Sequence, residues 1–431
     1  MNLTVIRNKL LNSKEIKNAG WLIGGRVAQM LLSLLVGIWT ARYLGPENQG
    51  IISYAAAYVA FFTALSSLGI NNIIIKEFID HPDEQGTAIG TTFFLRLISG
   101  ILSELMILAI VGFANRKEPI IIAATMLYSM SIFFQVADTL NYWFQARYQS
   151  KVVSLATLLA YVVTSAYRVV LILLNKDVRW FAFAASVDTI CIAAIMLAAY
   201  HKNNGPKLKL SQTKAKELLK KSYNFILVYM MVSVYEQTDK IMLKQMMDAT
   251  EVGYYSTAIT VNSIWGFVLV AIIDSVAPTI IRCVKTSTEL FERKNRQLYA
   301  TIIYASIFMG IVFSLFGERI IVILYTEAYL GAAAPLKILC WHTGFFYLVS
   351  ARNTWFIAKD YHKYLKYIYG GAAIANVGLN FVLIPVLGAS GAALASLMTH
   401  ALSVIVIPYF IKDTRPTIKL VFDALLLRGI K

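Results

Sequence analysis

The stretch AIGTTFFLRLISGILSELMILAIVGFA, residues 88–114, is apolar along its whole length except for Arg96 and Glu104. A hydrocarbon layer of about 30 Å needs roughly 20 residues of helix, so this stretch is long enough to cross a bilayer. Further stretches of the same character occur at residues 19–41, 50–71, 119–140, 152–174, 179–200, 223–246, 253–277, 298–317, 331–357, 367–387 and 391–411. They are too long and too continuous for barrel strands. The sequence therefore predicts an all-α polytopic membrane protein with twelve transmembrane helices.

Composition agrees with this class, since 58% of residues are hydrophobic, 15% are charged and the mean hydropathy is +0.62. The net charge of +16 is concentrated on one side of the membrane. The connections on the side of the N-terminus contain 27 basic and 11 acidic residues, those on the opposite side contain 7 of each, and the spans contain 6 of each. Positive charge resists translocation, so both termini are predicted to be cytoplasmic. Nucleic-acid binding is not expected, because no basic helix or aromatic sheet motif accompanies the charge.

Several other functions lack the residues they need. The sequence has no GxxxxGK[ST], HExxH, GxSxG or CxxC motif and only 5 scattered histidines, so ATP hydrolysis, zinc chemistry and serine hydrolysis have no visible machinery. No enzyme activity, cofactor or metal site is expected. Residues 1–18 are polar and basic before a full-length span, so we expect no cleavable signal peptide. The three cysteines are expected to be free thiols.

A lysine-rich connection at residues 201–221 divides the predicted spans six and six. The predicted domains are therefore an N-terminal lobe at 1–200, a basic cytoplasmic linker at 201–221, and a C-terminal lobe at 222–431 that ends in a cytoplasmic tail. Within the linker, residues 211–221 could form an amphipathic helix on anionic lipid or stay solvated. GIISYA at residue 50 resembles GYYSTA at residue 253, which favours two pseudosymmetric lobes around a central cavity.

Ionisable residues inside the predicted spans are the main functional candidates, because a charge at bilayer depth costs a few kcal/mol unless it meets water or a partner. They are Arg26, Arg96, Glu104, Asp138, Arg168, Asp188, Glu236, Asp239, Lys240, Asp274, Lys337 and Arg352. Members near predicted helix ends, namely Arg96, Asp138, Asp274 and Lys337, are expected to reach the interface by snorkelling.

The densest group lies in the seventh span, where Glu236 precedes Asp239 by three residues and Lys240 by four, which places all three near one helix face. With one ammonium for two carboxylates, one carboxylate is predicted to hold a proton at neutral pH. Two interpretations stay open, an ion-coupling site and a structural pair between Glu236 and Lys240. Asp188 and Asp274 complete the candidate ion-coupling set.

Arginine suits an oxyanion because its planar fork offers two parallel hydrogen bonds. Arg26 lies about two turns into the first span beside two glycines, and Arg168 and Arg352 could add positive charge to the same space. Together with Lys240 they form the candidate substrate-binding set, and structural pairing with nearby acids is the alternative for each arginine. Asn376 and Asn380, four residues apart, are expected to bond to neighbouring helices.

Four motifs along the chain resemble signatures of polysaccharide-exporting flippases in the multidrug/oligosaccharidyl-lipid/polysaccharide exporter superfamily. They are ARYLGPE at residue 41 with Gly50, TDKIML at residue 238 with EVGYY at residue 251, AY at residue 328 with APL at residue 334 and Leu339, and Asn380 with LIP at residue 383 and GASGAA at residue 388. The resemblance implies a flippase for an undecaprenyl-diphosphate-linked oligosaccharide, such as an O-antigen unit used in lipopolysaccharide biosynthesis, in the bacterial cytoplasmic (inner) membrane. It also implies alternating access, a cationic cavity coupled to H+ or Na+, and Arg26 as the ligand of the diphosphate or an acidic sugar.

The expected partners are therefore membrane lipid, the polyprenyl-linked oligosaccharide, a glycan polymerase and glycosyltransferases. Six acids balance six bases inside the spans, so sequence alone does not establish a cationic cavity. Two other functions remain: an H+ or Na+ coupled multidrug or cation exporter, which is an antiporter of the same superfamily, and a non-transporting membrane scaffold for glycan assembly.

Overall fold

The computed structural model describes residues 14–430, and their regular structure is helical, with no strand in that range. The first helices are α1 (Lys14–Ser66), α2 (Asn71–Asp80), α3 (Gln85–Ala114), α4 (Pro119–Ser129), α5 (Ser131–Phe134), α6 (Asp138–Ala146), α7 (Ser150–Leu173) and α8 (Val178–Lys202). The remaining helices are α9 (Gln212–Met246), α10 (Ala249–Ser263), α11 (Gly266–Cys283), α12 (Thr288–Tyr325), α13 (Ala333–Ala358), α14 (Leu365–Leu387), α15 (Ala389–Ala401), α16 (Ile407–Phe410) and α17 (Arg415–Leu425). The prediction of an all-α membrane protein is confirmed.

Ten helical segments of the described chain are long and apolar enough to cross a membrane. The first of them, Val27–Ser66, covers most of two predicted spans, 19–41 and 50–71, and α1 is broken between them at Gly45, where φ is +74°. A positive φ costs glycine little, and Pro46 follows the break. The predicted span 223–246 lies within α9, which is too polar to count among the ten. Twelve crossings are therefore compatible with the structure.

The predicted single helix over residues 253–277 is wrong in detail. The structure has two helices there, α10 and α11, separated by a bend at Ile264 and Trp265. At the start of α11 the hydroxyl of Tyr347 occupies the space that a Cβ on Gly266 would fill. This packing contact comes from a distant helix, so the local apolar pattern could not reveal it.

The chain divides into two compact units, which are described separately. Unit 1 is Met1–Leu44 with Ala55–Met230, and unit 2 is Gly45–Tyr54 with Met231–Lys431. The core of unit 1 includes Ile70, Phe78, Trp143, Phe144, Met196 and Tyr200. The core of unit 2 includes Leu269, Phe291, Tyr299, Leu348, Trp355 and Leu420. The lobe boundaries derived from the sequence stay a prediction.

In unit 2, two segments that the sequence matched as repeats pack directly against each other. A Cβ placed on Gly50 would overlap the carbonyl oxygen of Ala249, and a Cβ placed on Gly253 would overlap that of Pro46. Only glycine lets the two backbones approach this closely. The glycines in these motifs therefore have a packing role.

The basic connection before α9 is docked on unit 1. The backbone N–H of Lys209 donates to Gly86 O at 3.2 Å, and that of Ser211 donates to Thr91 Oγ1 at 3.1 Å. From Gln212 onward the chain is already α9, which continues without interruption to Met246. Residues 212–221 are thus helical, as one interpretation expected, but they form the start of α9 rather than a short separate helix. Lys214 and Leu218 are buried, so this stretch is not a fully solvated linker.

Lys214 anchors this docking as a buried lysine, 7% exposed. Its Nζ lies 2.7 Å from Glu77 Oε1, 2.7 Å from Glu84 Oε2 and 3.1 Å from Glu217 Oε2. Burial acts to raise the pKa of Glu77, but hydrogen bonds from Lys214 and Lys221 outweigh it and leave that pKa below its usual value. Burial acts to lower the pKa of Lys214, and its three carboxylate partners raise it above the usual value. Both shifts favour the charged forms and hold the segment in place.

Candidate functional site

A polar cavity of about 480 Å³ lies inside unit 1. Its walls come from α1, α4, α5, α7 and α8, with Gln135 from the turn before α6. The polar groups on these walls are Thr63, Tyr128, Ser131, Gln135, Tyr161, Thr164, Arg168, Asp188 and Thr189. Hydroxyl and amide groups dominate, and such groups can both donate and accept hydrogen bonds. The cavity can therefore hold a ligand that is itself rich in hydroxyls.

Arg168 and Asp188, both predicted as site residues, line this cavity and are half-buried. Asp188 Oδ1 accepts a hydrogen bond from Thr164 Oγ1 at 3.3 Å. No ion pair within 4.0 Å joins Arg168 to an acid of the described residues. The two charges balance across the cavity, but the guanidinium keeps its donors for a ligand.

Beside this cavity is a smaller one, of about 40 Å³, that shares Thr63 and Gln135 with it and is also lined by Arg96 and Asp138. Arg96 is 5% exposed and donates to Asn71 Oδ1, to Gln135 O at 3.4 Å and to Thr139 Oγ1 at 3.3 Å. The prediction that Arg96 snorkels to the interface is therefore wrong.

Lys337, also near a predicted helix end, differs from Arg96, and its predicted snorkelling stays a prediction. Its side chain is exposed, and Nζ lies 2.6 Å from Glu318 Oε1. The difference between Lys337 and Arg96 is in the partners that other helices supply, and position along a span does not reveal those partners.

Unit 2 holds a separate cavity of about 260 Å³. Glu236, Asp239 and Lys240 all line it, which confirms that they share one face of α9. Lys240 Nζ donates to Gln237 Oε1 at 3.2 Å, and no ion pair joins it to Glu236 among the described residues. The structural pair between Glu236 and Lys240 is therefore not formed. Other residues on the walls include Tyr235, Tyr255, Asn262, His342, Phe346, Tyr347, Ser396 and His400.

Asp239 is the best-connected carboxylate of this cavity, and it is 2% exposed. Its Oδ1 accepts from Asn376 Nδ2 at 3.0 Å and Asn380 Nδ2 at 2.6 Å. Its Oδ2 accepts from the hydroxyl of Tyr255 at 2.5 Å and from that of Ser396. The carboxylate thus joins α9, α10, α14 and α15 through four hydrogen bonds.

These contacts revise the sequence interpretation of Asp239 and confirm that of the two asparagines. The predicted sharing of one ammonium by two carboxylates does not occur as a contact, because neutral donors surround Asp239. Asn376 and Asn380 bond to a neighbouring helix, as expected. The sequence missed Tyr255 and Ser396, whose hydroxyls carry no distinguishing signal, although Tyr255 stands in the EVGYY motif.

The other predicted site residues lie elsewhere. Arg352 is 1% exposed, donates from Nη1 to Ser403 O and stacks over Phe356, with its CZ atom 5.2 Å from the ring centre. It does not line the unit 2 cavity. Asp274 is exposed on α11 and does not line it either. Arg26 lies in α1, and its side chain is outside the described residues.

Helices of membrane-spanning length, with cavities between them that polar and charged side chains help to line, define this protein as a polytopic membrane protein. An inward-facing multidrug resistance MATE family transporter of the MOP superfamily shares the fold with a TM-score of 0.69 and 13% identity, covering 92% of this chain and 96% of that one. The lipid II flippase MurJ in an inward closed conformation matches with a TM-score of 0.71 and 12% identity, covering 96% of this chain and 91% of that one. A MOP superfamily transporter from Pyrococcus furiosus matches with a TM-score of 0.60 and 14% identity, covering 94% of this chain and 95% of that one.

The chain belongs to the polysaccharide biosynthesis protein family, whose model matches residues 16–284. No curated protein sequence matches it. The family match and the shared fold confirm the resemblance drawn from the four motifs.

Proposed function

We propose that this protein is a flippase that carries an undecaprenyl-diphosphate-linked oligosaccharide, such as an O-antigen repeat unit, from the cytoplasmic to the periplasmic leaflet of the bacterial inner membrane. The observation that carries the proposal is the unit 1 cavity, which lies among membrane-spanning helices of a polysaccharide biosynthesis family member and is lined by hydroxyls, an amide and Arg168. Moving a headgroup with many hydroxyls through hydrocarbon would cost several kcal/mol for each unpaired group. A hydrated cavity removes most of this cost while the polyprenyl tail stays in lipid.

The cavity chemistry supports a sugar ligand more than a simple anion. Its tyrosine, threonine and serine hydroxyls match the donors and acceptors of a sugar ring, and the Arg168 guanidinium offers paired donors to a phosphate or an acidic sugar. Asp188 offsets the charge of Arg168, so the cavity is not strongly cationic. In this proposal Arg26 supplies further positive charge for the diphosphate, while Arg352 acts within the core of unit 2.

Transport would proceed by alternating access coupled to an ion gradient. In support, the fold matches MATE family transporters in both an inward-facing and an outward-facing conformation, with TM-scores of 0.69 and 0.61. Of the candidate coupling acids, Glu236 has no hydrogen bond or ion pair to another described residue and faces the unit 2 cavity. An acid without a fixed partner can exchange an ion, which makes Glu236 a stronger candidate than Asp239. Both termini would be cytoplasmic.

The proposal is tested by flipping of a fluorescent polyprenyl-diphosphate oligosaccharide in proteoliposomes that contain only the purified protein. We expect wild type to move the lipid between leaflets and Arg168→Ala to lose most of that activity. Arg179→Ala is the matched control, because Arg179 is 51% exposed and pairs only with the exposed Asp177, a contact of about 0–1 kcal/mol. Wild-type protein that does not flip the lipid would refute the proposal, and its flipping without partners would exclude the scaffold alternative.

A cation or drug exporter is the second candidate, favoured by the fold shared with MATE transporters and by the acids and aromatic rings of the unit 2 cavity. In that case deletion should sensitise cells to cationic dyes and leave surface glycans intact. Under the main proposal, deletion removes the glycan and leaves dye resistance unchanged. Glycosyltransferase and polymerase genes beside this one would support the main proposal.

A further inference from the structure

Two histidines that are 58 residues apart in sequence meet in the unit 2 cavity. His342 Nε2 of α13 lies 2.9 Å from His400 Nδ1 of α15, and the two rings are perpendicular with centres 4.2 Å apart. His400 is 5% exposed. Nothing in the local sequence signals this pair, because the two residues stand alone on different helices.

The hydrogens of the pair can be assigned from its contacts. His400 Nδ1 also lies 2.9 Å from the carbonyl oxygen of Ser396, one turn earlier in the same helix. A carbonyl oxygen can only accept, so His400 Nδ1 carries a hydrogen, and His342 Nε2 accepts from the same N–H. The neutral His342 ring therefore has its own hydrogen on Nδ1.

This assignment leaves one free lone pair. His400 Nε2 becomes the bare nitrogen of its ring, and it is buried without a hydrogen-bond partner. Among the nitrogens of the pair, it alone can take up a proton while both existing contacts are kept. A proton on His342 Nε2 would instead bring two N–H groups face to face.

Charged and titratable groups line the cavity around the pair. The ionisable groups that face it within the cavity are Tyr235, Glu236, Asp239 and Lys240 of α9, Tyr255 of α10 and Tyr347 of α13. Two carboxylates and one ammonium leave a net charge of −1 when all three are ionised. A protonated His400 would offset that charge. Arg352 is a further buried cation nearby but does not line the cavity, and its Nη1 donates to Ser403 O, three residues after His400.

We propose that the His342–His400 pair is a proton-binding site, and that it takes up the coupling proton on His400 Nε2. This inference rests on the ion coupling of the proposed function and names the ion as H+. The step adds one proton from water to a lone pair and breaks no other bond, and release reverses it.

The site also has a path to the helices that would move. Ser396 joins the pair to the Asp239 cluster, since its carbonyl oxygen accepts from His400 and its hydroxyl donates to Asp239. Protonation of His400 therefore acts on a residue that also contacts Asp239 of α9 and Tyr255 of α10. A charge change at this point can shift the balance between two packings of these helices.

Proton binding can be tested without transport. Histidine labelled with ¹⁵N in the detergent-solubilised wild type gives signals from only 5 residues, and the His400 signals are those lost in His400→Gln. We expect the His400 Nε2 signal to move from the bare-nitrogen region to the N–H region as the pH is lowered from about 8 to about 4. A His400 ring that keeps one state across this window would overturn the inference.

The second test measures flipping in proteoliposomes under an imposed pH gradient. We expect His400→Gln and His342→Gln to keep their elution volume in size-exclusion chromatography and to lose the response to the gradient. His201→Gln, at an exposed position outside the cavity, should keep the response. If His400→Gln still responds while Glu236→Gln does not, the proton belongs to the carboxylate and the inference is wrong. Wild type that flips no lipid under any gradient refutes the proposed function alone, because the titration still decides the proton site.

Discussion

Replacing Asp239 by alanine should destabilise unit 2 far more than the same change at Glu236, although the two acids are three residues apart on one helix. Asp239 accepts four hydrogen bonds from three other helices. Glu236 faces the cavity and accepts none from the described residues. The two variants thus separate the role of buried contacts from the role of charge.

The magnitude follows from those contacts. Interhelical hydrogen bonds in membrane proteins average about 0.6 kcal/mol each, which gives a lower limit near 2 kcal/mol for four. Hydrogen bonds to a charged group contribute about 1.5–3 kcal/mol each, but half of the donors can re-pair, because Tyr255 and Ser396 are 3.1 Å apart and Asn380 donates to Asn376 at 3.0 Å. We therefore expect Asp239→Ala to cost about 2–5 kcal/mol.

Thermal unfolding in detergent, followed by the remaining monodisperse fraction, measures the effect. A cooperative unit of about 200 residues loses about 2–4 °C of Tm per kcal/mol, so we expect the Tm of Asp239→Ala to fall by at least about 4 °C. Glu236→Ala should change Tm by less than about 2 °C, as an exposed group without partners would. Equal shifts in the two variants would show that the four contacts do not stabilise unit 2, and the assignment of Asp239 as a structural centre would be withdrawn.

Three further predictions use simpler readouts. Arg26→Ala should abolish glycan export while the protein still reaches the membrane, and wild-type surface glycan from a well-expressed variant would remove Arg26 from the site. Gly253→Ala should prevent folding, because its Cβ would overlap Pro46 O, whereas Gly37→Ala, with open space at its Cβ, should express normally; equal expression would contradict the close contact. Lys214→Gln should lower Tm at pH 7, because it removes a partner of Glu77, whose pKa lies below its usual value. A carboxylate with a lowered pKa in the folded state stabilises the protein at pH values above its unfolded-state pKa, and this stabilisation is lost on acidification. The difference in Tm between the variant and wild type should therefore shrink near pH 4, and a constant difference would contradict this reasoning.

The sequence predicted the fold well because lipid imposes a simple rule. Backbone groups in hydrocarbon must bond within the segment, so long apolar runs become helices whatever surrounds them. The details that failed depend on distant packing, such as the bend after α10, where the hydroxyl of Tyr347 fills the space beside Gly266. The docking of the basic connection could not be predicted for the same reason, since Glu77 and Lys214 contact each other but are 137 residues apart in sequence.

The candidate site shows the same division. Helical spacing correctly placed Glu236, Asp239 and Lys240 on one cavity, because three- and four-residue steps share a face. Spacing could not supply the partners of Asp239, which lie 137 and 157 residues away at Asn376 and Ser396. It could not pair the two histidines either.

The sequence left a structural pair with a nearby acid open as the alternative for each arginine, and Arg168 and Arg352 form no such pair within 4.0 Å among the described residues. Asp239 and Arg352 are the two most buried of the charged residues discussed. Asp239 accepts from neutral donors, and Arg352 contacts a carbonyl oxygen and an aromatic ring, so neither forms an ion pair within the described part of the chain. Arg168, Glu236 and Lys240 line cavities with no ion pair to a described residue. Charges at bilayer depth without protein partners are tolerated only where water or a ligand solvates them. Both cavities are therefore suited to polar contents such as water, which the proposed movement of a sugar headgroup or a proton would require.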